Sequence, residues 1–301
     1  MNPRYITAGG ILGRLCSSIA AGVPPRCFTA TPGLEDVIPL RPGELSILGG
    51  APGSGKTLLA VCLVVDALRA NPGLRALVAN VEMPPERLLA RQLARLSGLE
   101  LTRIERHEPG ITDSPQFAAA VATLEAIGDR LAFLQPPFSA GTLEAAGMKF
   151  EPELVLVDYV QRFTAAPETA GRENIDGMVS FLRQLCTEAG CAVLAVAAVH
   201  RGKDSRGGST YGGGIGLASF RGSSELEFGA DSCFTLQANK RGKALLACCK
   251  ARYGEMRTAR LVFDFSRASF AIASSSDEAV LDDAGERFTD ELDEAEGGDD
   301  E

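Results

Sequence analysis

From Leu45 onward, short unbroken apolar runs alternate with longer stretches in which apolar residues recur every three or four positions. The first pattern suits a strand buried on both faces, the second a helix with one face turned to a core. Strands are predicted at Leu45–Leu48, Arg75–Val81, Leu131–Leu134, Leu154–Val157 and Cys191–Val199. Helices are predicted between them at Lys56–Ala70, Pro84–Leu96, Ser114–Ile127 and Glu173–Ala189. Asn71-Pro72-Gly73 stops the first, proline opens the second, and Gly190 closes the last. Three more strands, near Cys233–Leu236, Ala244–Lys250 and Ala259–Phe265, follow with no helix between them. Apolar strands alternating with helices imply an α/β fold with a mainly parallel central sheet and helices on both faces. The late strands imply an antiparallel extension at one edge. Residues 1–40 read as irregular, with Pro24-Pro25, Pro32-Gly33 and one short helical stretch near Ile11–Ala21.

Composition changes this picture little, but charge does. With 45% apolar and 23% charged residues among 301, the chain is an ordinary globular one, and wholesale disorder is excluded. The net charge is −9, yet Asp277–Glu301 alone hold thirteen carboxylates and one arginine, so residues 1–276 carry +3. An irregular arm (1–33), one large domain (34–274) and an acidic disordered tail (275–301) follow. No apolar stretch is long enough to span a bilayer, and Arg14 interrupts the apolar centre that a signal peptide at Ile6–Ala21 would need. The expected location is therefore cytoplasmic. Eight cysteines (Cys16, Cys27, Cys62, Cys186, Cys191, Cys233, Cys248, Cys249) form no C-x-x-C pair and read as reduced thiols, most inside apolar runs.

The chemistry starts where the first strand meets the first helix. Gly50-Ala51-Pro52-Gly53-Ser54-Gly55-Lys56-Thr57 fits G-x-x-x-x-G-K-[ST] completely. Glycines let backbone N–H groups turn inward around phosphates, and the helix dipole adds positive potential. Lys56 would reach the β- and γ-phosphates of ATP, and the Thr57 hydroxyl would bind Mg²⁺. Leu154-Val155-Leu156-Val157-Asp158 ends an apolar strand on a carboxylate, as expected of an aspartate serving that Mg²⁺. Glu82 ends the strand expected beside the phosphate-loop strand, where it would orient and deprotonate an attacking water. Equally, it would merely open the following helix.

These residues resemble the RecA-like ATPase domain of hexameric replicative DNA helicases, the DnaB type and its plasmid RepA-type relatives. The matching stretches run in order: Gly49–Thr57, Val81-Glu82-Met83-Pro84, Val157-Asp158-Tyr159-Val160-Gln161, Arg221-Gly222-Ser223-Ser224 on to Gly229-Ala230-Asp231, and Lys250-Ala251-Arg252-Tyr253-Gly254. The resemblance implies a RecA-like P-loop fold, Glu82 as catalytic glutamate and Asp158 as Walker B aspartate. It also implies that Lys250 and Arg252 reach across a subunit interface to a neighbour's γ-phosphate, where a cation stabilises transition-state charge. Without the resemblance, these two would read as solvent-facing residues at a strand end.

Two departures stand out. Where the family carries a γ-phosphate-sensing Gln, an ungapped alignment places Ala198, and His200 is the sensor candidate if the register shifts by two. Only some forty irregular residues precede the first predicted strand, so the family's helical primase-contacting domain is not expected. The loop 201–220 carries Arg201, Lys203 and Arg206 among glycines and serines, with Asp204 its sole acid. Composition leaves a solvated loop and a phosphate-contacting loop equally open; the resemblance places it at the central DNA channel, where contacts must ignore sequence. The expected protein is an ATP- and Mg²⁺-dependent motor. It forms a hexameric ring, moves on single-stranded DNA and works with replication proteins. The rivals are a recombinase-like or regulatory ATPase, and an accessory module that uses ATP for assembly without unwinding.

Overall fold

The computed structural model describes residues 6–166, 170–199, 202–203, 209–210, 224–239 and 241–273. Among them the helices are α1 (Ala8–Ala20), α2 (Lys56–Ala70), α3 (Pro85–Ser97), α4 (Leu101–Glu105), α5 (Pro115–Gly128), α6 (Ala140–Phe150), α7 (Gly171–Ala189) and α8 (Ser224–Gly229). The strands are β1 (Leu45–Gly50), β2 (Ala76–Asn80), β3 (Leu131–Phe133), β4 (Leu154–Asp158), β5 (Ala192–Ala198), β6 (Gly202–Lys203), β7 (Ser209–Thr210), β8 (Ser232–Ala238), β9 (Lys243–Ala251), β10 (Thr258–Asp264) and β11 (Ser269–Ile272). Every predicted strand and helix is present, with ends shifted by a few residues. Helices α4, α6 and α8 and strands β6, β7 and β11 are additions to the predicted set. Gly141 and Gly147 dilute the apolar rhythm of α6, although Ser139 caps it by accepting from the Thr142 N–H.

Among the described residues nine strands form one sheet in the order β11-β10-β9-β8-β1-β5-β4-β2-β3. From β8 to β3 neighbouring strands run parallel; from β8 to β11 they alternate, which is the expected antiparallel edge. Side chains alternate across the sheet and feed two cores. Leu48, Leu154, Leu156 and Leu194 pack with α2, whose residues from Leu58 to Val65 are all buried. Leu45, Ile47, Val155 and Val193 pack on the other face with Met178, Val179 and Leu182 of α7. The irregular segment before β1 joins the first core through Phe28, Leu34, Ile38 and Leu40.

One expectation about position is corrected. β2 does not lie beside β1; β5 and β4 stand between them. The crossover through α2 skips two places in the sheet, and strands that come later in the chain fill the gap. β1 therefore sits between β5 and β8, parallel to both, and its carboxyl end opens at the centre of the sheet. Ligands gather at such carboxyl ends where the chain leaves in opposite directions.

Candidate active site

The loop after β1 turns on residues without side chains. A Cβ on Gly50 would run into the Leu236 carbonyl of β8, and Gly55 holds φ +88 with the Phe263 ring 3.1 Å from where a Cβ would stand. Backbone thus passes where a side chain would block it, leaving a cradle. Gly50→Ala is expected to cost about 1–3 kcal/mol through overpacking against backbone. It should also weaken nucleotide binding, as measured by thermal melting and by titration with a fluorescent ATP analogue.

Lys56 stands at the start of α2, and its Nζ donates to the carbonyls of Gly50 at 2.7 Å and Ala51 at 2.5 Å. Burial lowers its pKa to about 8, against the attraction of Asp158 and Glu82. Asp158 ends β4 almost wholly buried. Burial pushes its carboxyl up to about 6, opposed by a hydrogen bond from Thr57, raised further by Glu82 and lowered by Lys56. The Thr57 hydroxyl and the Asp158 carboxylate, the two groups expected at Mg²⁺, line the same cleft and offer the hard oxygen donors that such an ion takes.

Glu82 reaches this cleft despite the distance of β2 from β1. Val81 N–H donates to the Asp158 carbonyl at 2.9 Å, which pins the end of β2 to β4. Asn80 then acts as a bracket that the sequence pattern does not single out. Its Nδ2 donates to Asp158 Oδ2 at 2.7 Å, and its Oδ1 accepts from the N–H groups of Glu82 at 2.9 Å and Met83 at 2.7 Å. One buried amide thus fixes the aspartate and aims the glutamate. The available signal was a lone polar residue closing the run Ala76-Leu77-Val78-Ala79.

Together these groups line a cleft of about 660 Å³, shared by the phosphate loop, Glu82, Asp158, Tyr159 and Ala198. Leu101, Phe265 and Ala268 add apolar surface to the same cleft, with Phe265 stacked on Phe263 at a centroid distance of 5.4 Å. Arg91 of α3 also lines the cleft, and its Nε is buried without a hydrogen-bond partner. A partnerless buried donor beside a phosphate loop fits an anionic or hydrogen-bonding ligand. Nothing in the local pattern of α3 distinguished this arginine from its neighbours Arg87 and Arg95. The loop's cradle, the lysine, the Thr57–Asp158 pair and this donor suit a magnesium-bound nucleoside triphosphate.

Ala198, which an ungapped alignment sets where the family carries its sensing Gln, ends β5 and lines the cleft. Gln161 clasps it from both sides, donating to its carbonyl at 2.9 Å and accepting from its N–H at 3.2 Å. The Asp-Tyr-x-Gln motif thereby joins the end of β4 to the end of β5. His200, Arg201, Arg206 and the acidic tail lie outside the described residues. Lys203 is described only as backbone, in a hairpin pairing Gly202 with Thr210 and Lys203 with Ser209.

Lys250 and Arg252 are not in the cleft. β9 runs against β8, so its end lies at the opposite edge of the sheet, level with Asp231 and the start of β1. The strand from Leu45 to Gly50 separates that edge from the phosphate loop by about 16 Å. Both side chains bond to groups at the far edge. The Lys250 ammonium donates to the Ala230 carbonyl at 2.8 Å, and the Arg252 guanidinium donates to the Phe228 carbonyl at 2.6 Å. A bulge at Cys249, where the register shifts between Cys233 and Phe234, sets their direction. Of the cysteines, Cys62, Cys186, Cys191 and Cys233 are buried, Cys27, Cys248 and Cys249 half-buried and Cys16 exposed, all as free thiols.

The family model for the DnaB-like helicase C-terminal domain matches residues 32–271. The replicative DNA helicase DnaB of Rhodothermus marinus is 27% identical over 175 residues, which cover 55% of this chain and 18% of that protein. The chain thus spans under a fifth of that curated relative. A solved, isolated ATPase domain superposes with a TM-score of 0.74 at 15% identity, covering 89% of this chain and 99% of that one. A DnaB-like replicative helicase, solved in a study of its interactions with primase, superposes with a TM-score of 0.70 at 15% identity, covering 89% and 67%. These likenesses show a common RecA-like fold.

Proposed function

Because the chain belongs to the family of DnaB-like helicase C-terminal domains, we propose that it is an ATP-hydrolysing, ring-forming motor that moves on single-stranded DNA. The observation that carries this reading is the division of labour across the sheet. Phosphate-binding residues and Glu82 share one cleft at the strand ends, while Lys250 and Arg252 sit at the other edge and cannot serve it. A subunit built this way completes its site only with a neighbour, and a closed set of such head-to-tail contacts is a ring.

In the cleft, loop N–H groups and Lys56 hold the β- and γ-phosphates, and Leu101 with Phe265 offers an apolar seat for the base. Thr57 and Asp158 would hold Mg²⁺, which would supply positive charge against the negative charge that develops on the phosphates. Glu82 takes the proton of a water attacking the γ-phosphorus as the bond to the β-phosphate oxygen breaks, giving ADP and phosphate. Gln161 transmits the position of the β4 end to β5 and so to the loop 201–220, the segment we assign to DNA phosphates through Arg201, Lys203 and Arg206. Among the described residues no helix is long and apolar enough to cross a membrane.

Lys56→Ala is expected to weaken ATP binding by about 1.5–3 kcal/mol, roughly ten- to hundredfold in Kd. Folding should survive, because the ammonium contacts only its own loop. Parent affinity in a nucleotide titration would remove the phosphate-site assignment. The assembly is read by electron microscopy with ATP, Mg²⁺ and single-stranded DNA, and the motor by strand displacement on a forked duplex. Rings that displace a strand support the proposal. Filaments would favour a recombinase-like ATPase, and rings that hydrolyse ATP without displacement would favour an accessory module.

A further inference from the structure

The arginine at the far edge shares a buried anion with a second arginine. Asp231 is wholly buried between α8 and β8. Its Oδ2 accepts from the Leu45 N–H of β1 at 2.9 Å and from the Arg183 guanidinium of α7, while its Oδ1 accepts from Arg252 at 3.3 Å. Its main chain also holds Arg252, whose N–H donates to the Asp231 carbonyl at 2.8 Å. We propose that Arg183 and Asp231 form a positioning pair for Arg252. Asp231 orients the guanidinium at the subunit edge, and Arg183 keeps that carboxylate paired when Arg252 engages a neighbour's phosphate. The inference rests on the reading of Arg252 as a residue acting across an interface.

A buried carboxylate is costly unless paired and hydrogen-bonded, and one guanidinium with one N–H already achieves that here. The second guanidinium is held differently. Its contact is longer, and the Arg252 side chain is 41% exposed against 32% for Arg183. Arg252 can therefore exchange Asp231 for a phosphate oxygen without leaving the carboxylate bare, since Arg183 and Leu45 remain. Two guanidiniums on one carboxylate, with the nearby Glu44 paired to Arg41 at 3.8 Å, also leave a surplus of positive charge at this edge, which suits an incoming polyphosphate. Leu45 begins the strand that ends at Gly50, so the same strand carries the phosphate loop at one end and the finger's anchor at the other.

Without Arg183, Arg252 would be the one cation left on Asp231 among the described residues, and the carboxylate would hold it back. Arg183→Gln is accordingly expected to lower kcat of the assembled protein roughly tenfold or more, a part of the 10³–10⁵ that a finger acting in trans contributes. KM for ATP and nucleotide affinity should stay within about twofold, because the cleft lies at the opposite edge. The loss should vanish in the Arg252→Ala background, with the double variant no slower than Arg252→Ala alone, a coupling that general structural damage would not produce. Parent kcat in Arg183→Gln beside an inactive Arg252→Ala would overturn the positioning pair while leaving the finger in place. An undiminished loss in the Arg252→Ala background would overturn it equally. Parent turnover in Arg252→Ala would instead remove the finger reading itself.

Discussion

Arg252→Ala is expected to leave ATP binding by the isolated subunit unchanged and to lower hydrolysis by the assembly about 10³–10⁵-fold. The geometry sets both halves of this outcome. The guanidinium bonds to Asp231 and Phe228 at the edge of the sheet away from the phosphate loop, so its own nucleotide never meets it. The fold should persist, because Asp231 keeps Arg183 and the Leu45 N–H. Mixing gives the sharpest version. Arg252→Ala subunits contribute an intact phosphate loop and Lys56→Ala subunits an intact finger, so some mixed interfaces are complete and steady-state hydrolysis should return in part. Full activity of Arg252→Ala alone would take away the interface finger and the main reason to expect a ring.

The second large effect belongs to Glu82. Glu82→Gln should bind ATP with parent affinity and hydrolyse it about 10²–10⁴-fold more slowly, the usual loss when a general base is removed. The substitution preserves size, and the backbone N–H that anchors the residue to Asn80 is untouched. Single-turnover hydrolysis separates this from a binding defect. A parent rate would reduce Glu82 to a residue that opens a helix. Asn80→Ala tests the bracket behind it: Asp158 and the Glu82 and Met83 N–H groups would all lose a partner. Both stability and turnover should then fall, with stability lower by about 1–3 kcal/mol in a denaturant melt.

Much of this protein was legible along the chain because the signals are local. The order of glycines, lysine and threonine from Gly50 to Thr57 implies a phosphate cradle before any fold is known. The apolar runs that became β1, β4 and β5 needed no distant partner to be recognised, since a strand buried on both faces is apolar throughout. The same local reading missed α6, whose glycines blur its period, and β11, whose four residues form a strand only by pairing with β10. Asn80 and Arg91 looked like ordinary polar residues of a strand end and a helix.

Sequence alone thus determined the class of fold, the phosphate loop, the acidic strand end at Asp158 and the candidacy of Glu82, while the family resemblance added Lys250 and Arg252. Tertiary structure decided how they combine. It inserted β5 and β4 between β1 and β2, and so required Asn80 to bring Glu82 to the cleft. It placed Arg252 a strand's length from its own phosphate loop, and it joined Arg183 to Asp231 across 48 residues of chain. The physical reason is the range of the forces involved. Periodicity and turn chemistry act over a few residues, whereas strand order and shared buried charges exist only once distant segments have packed.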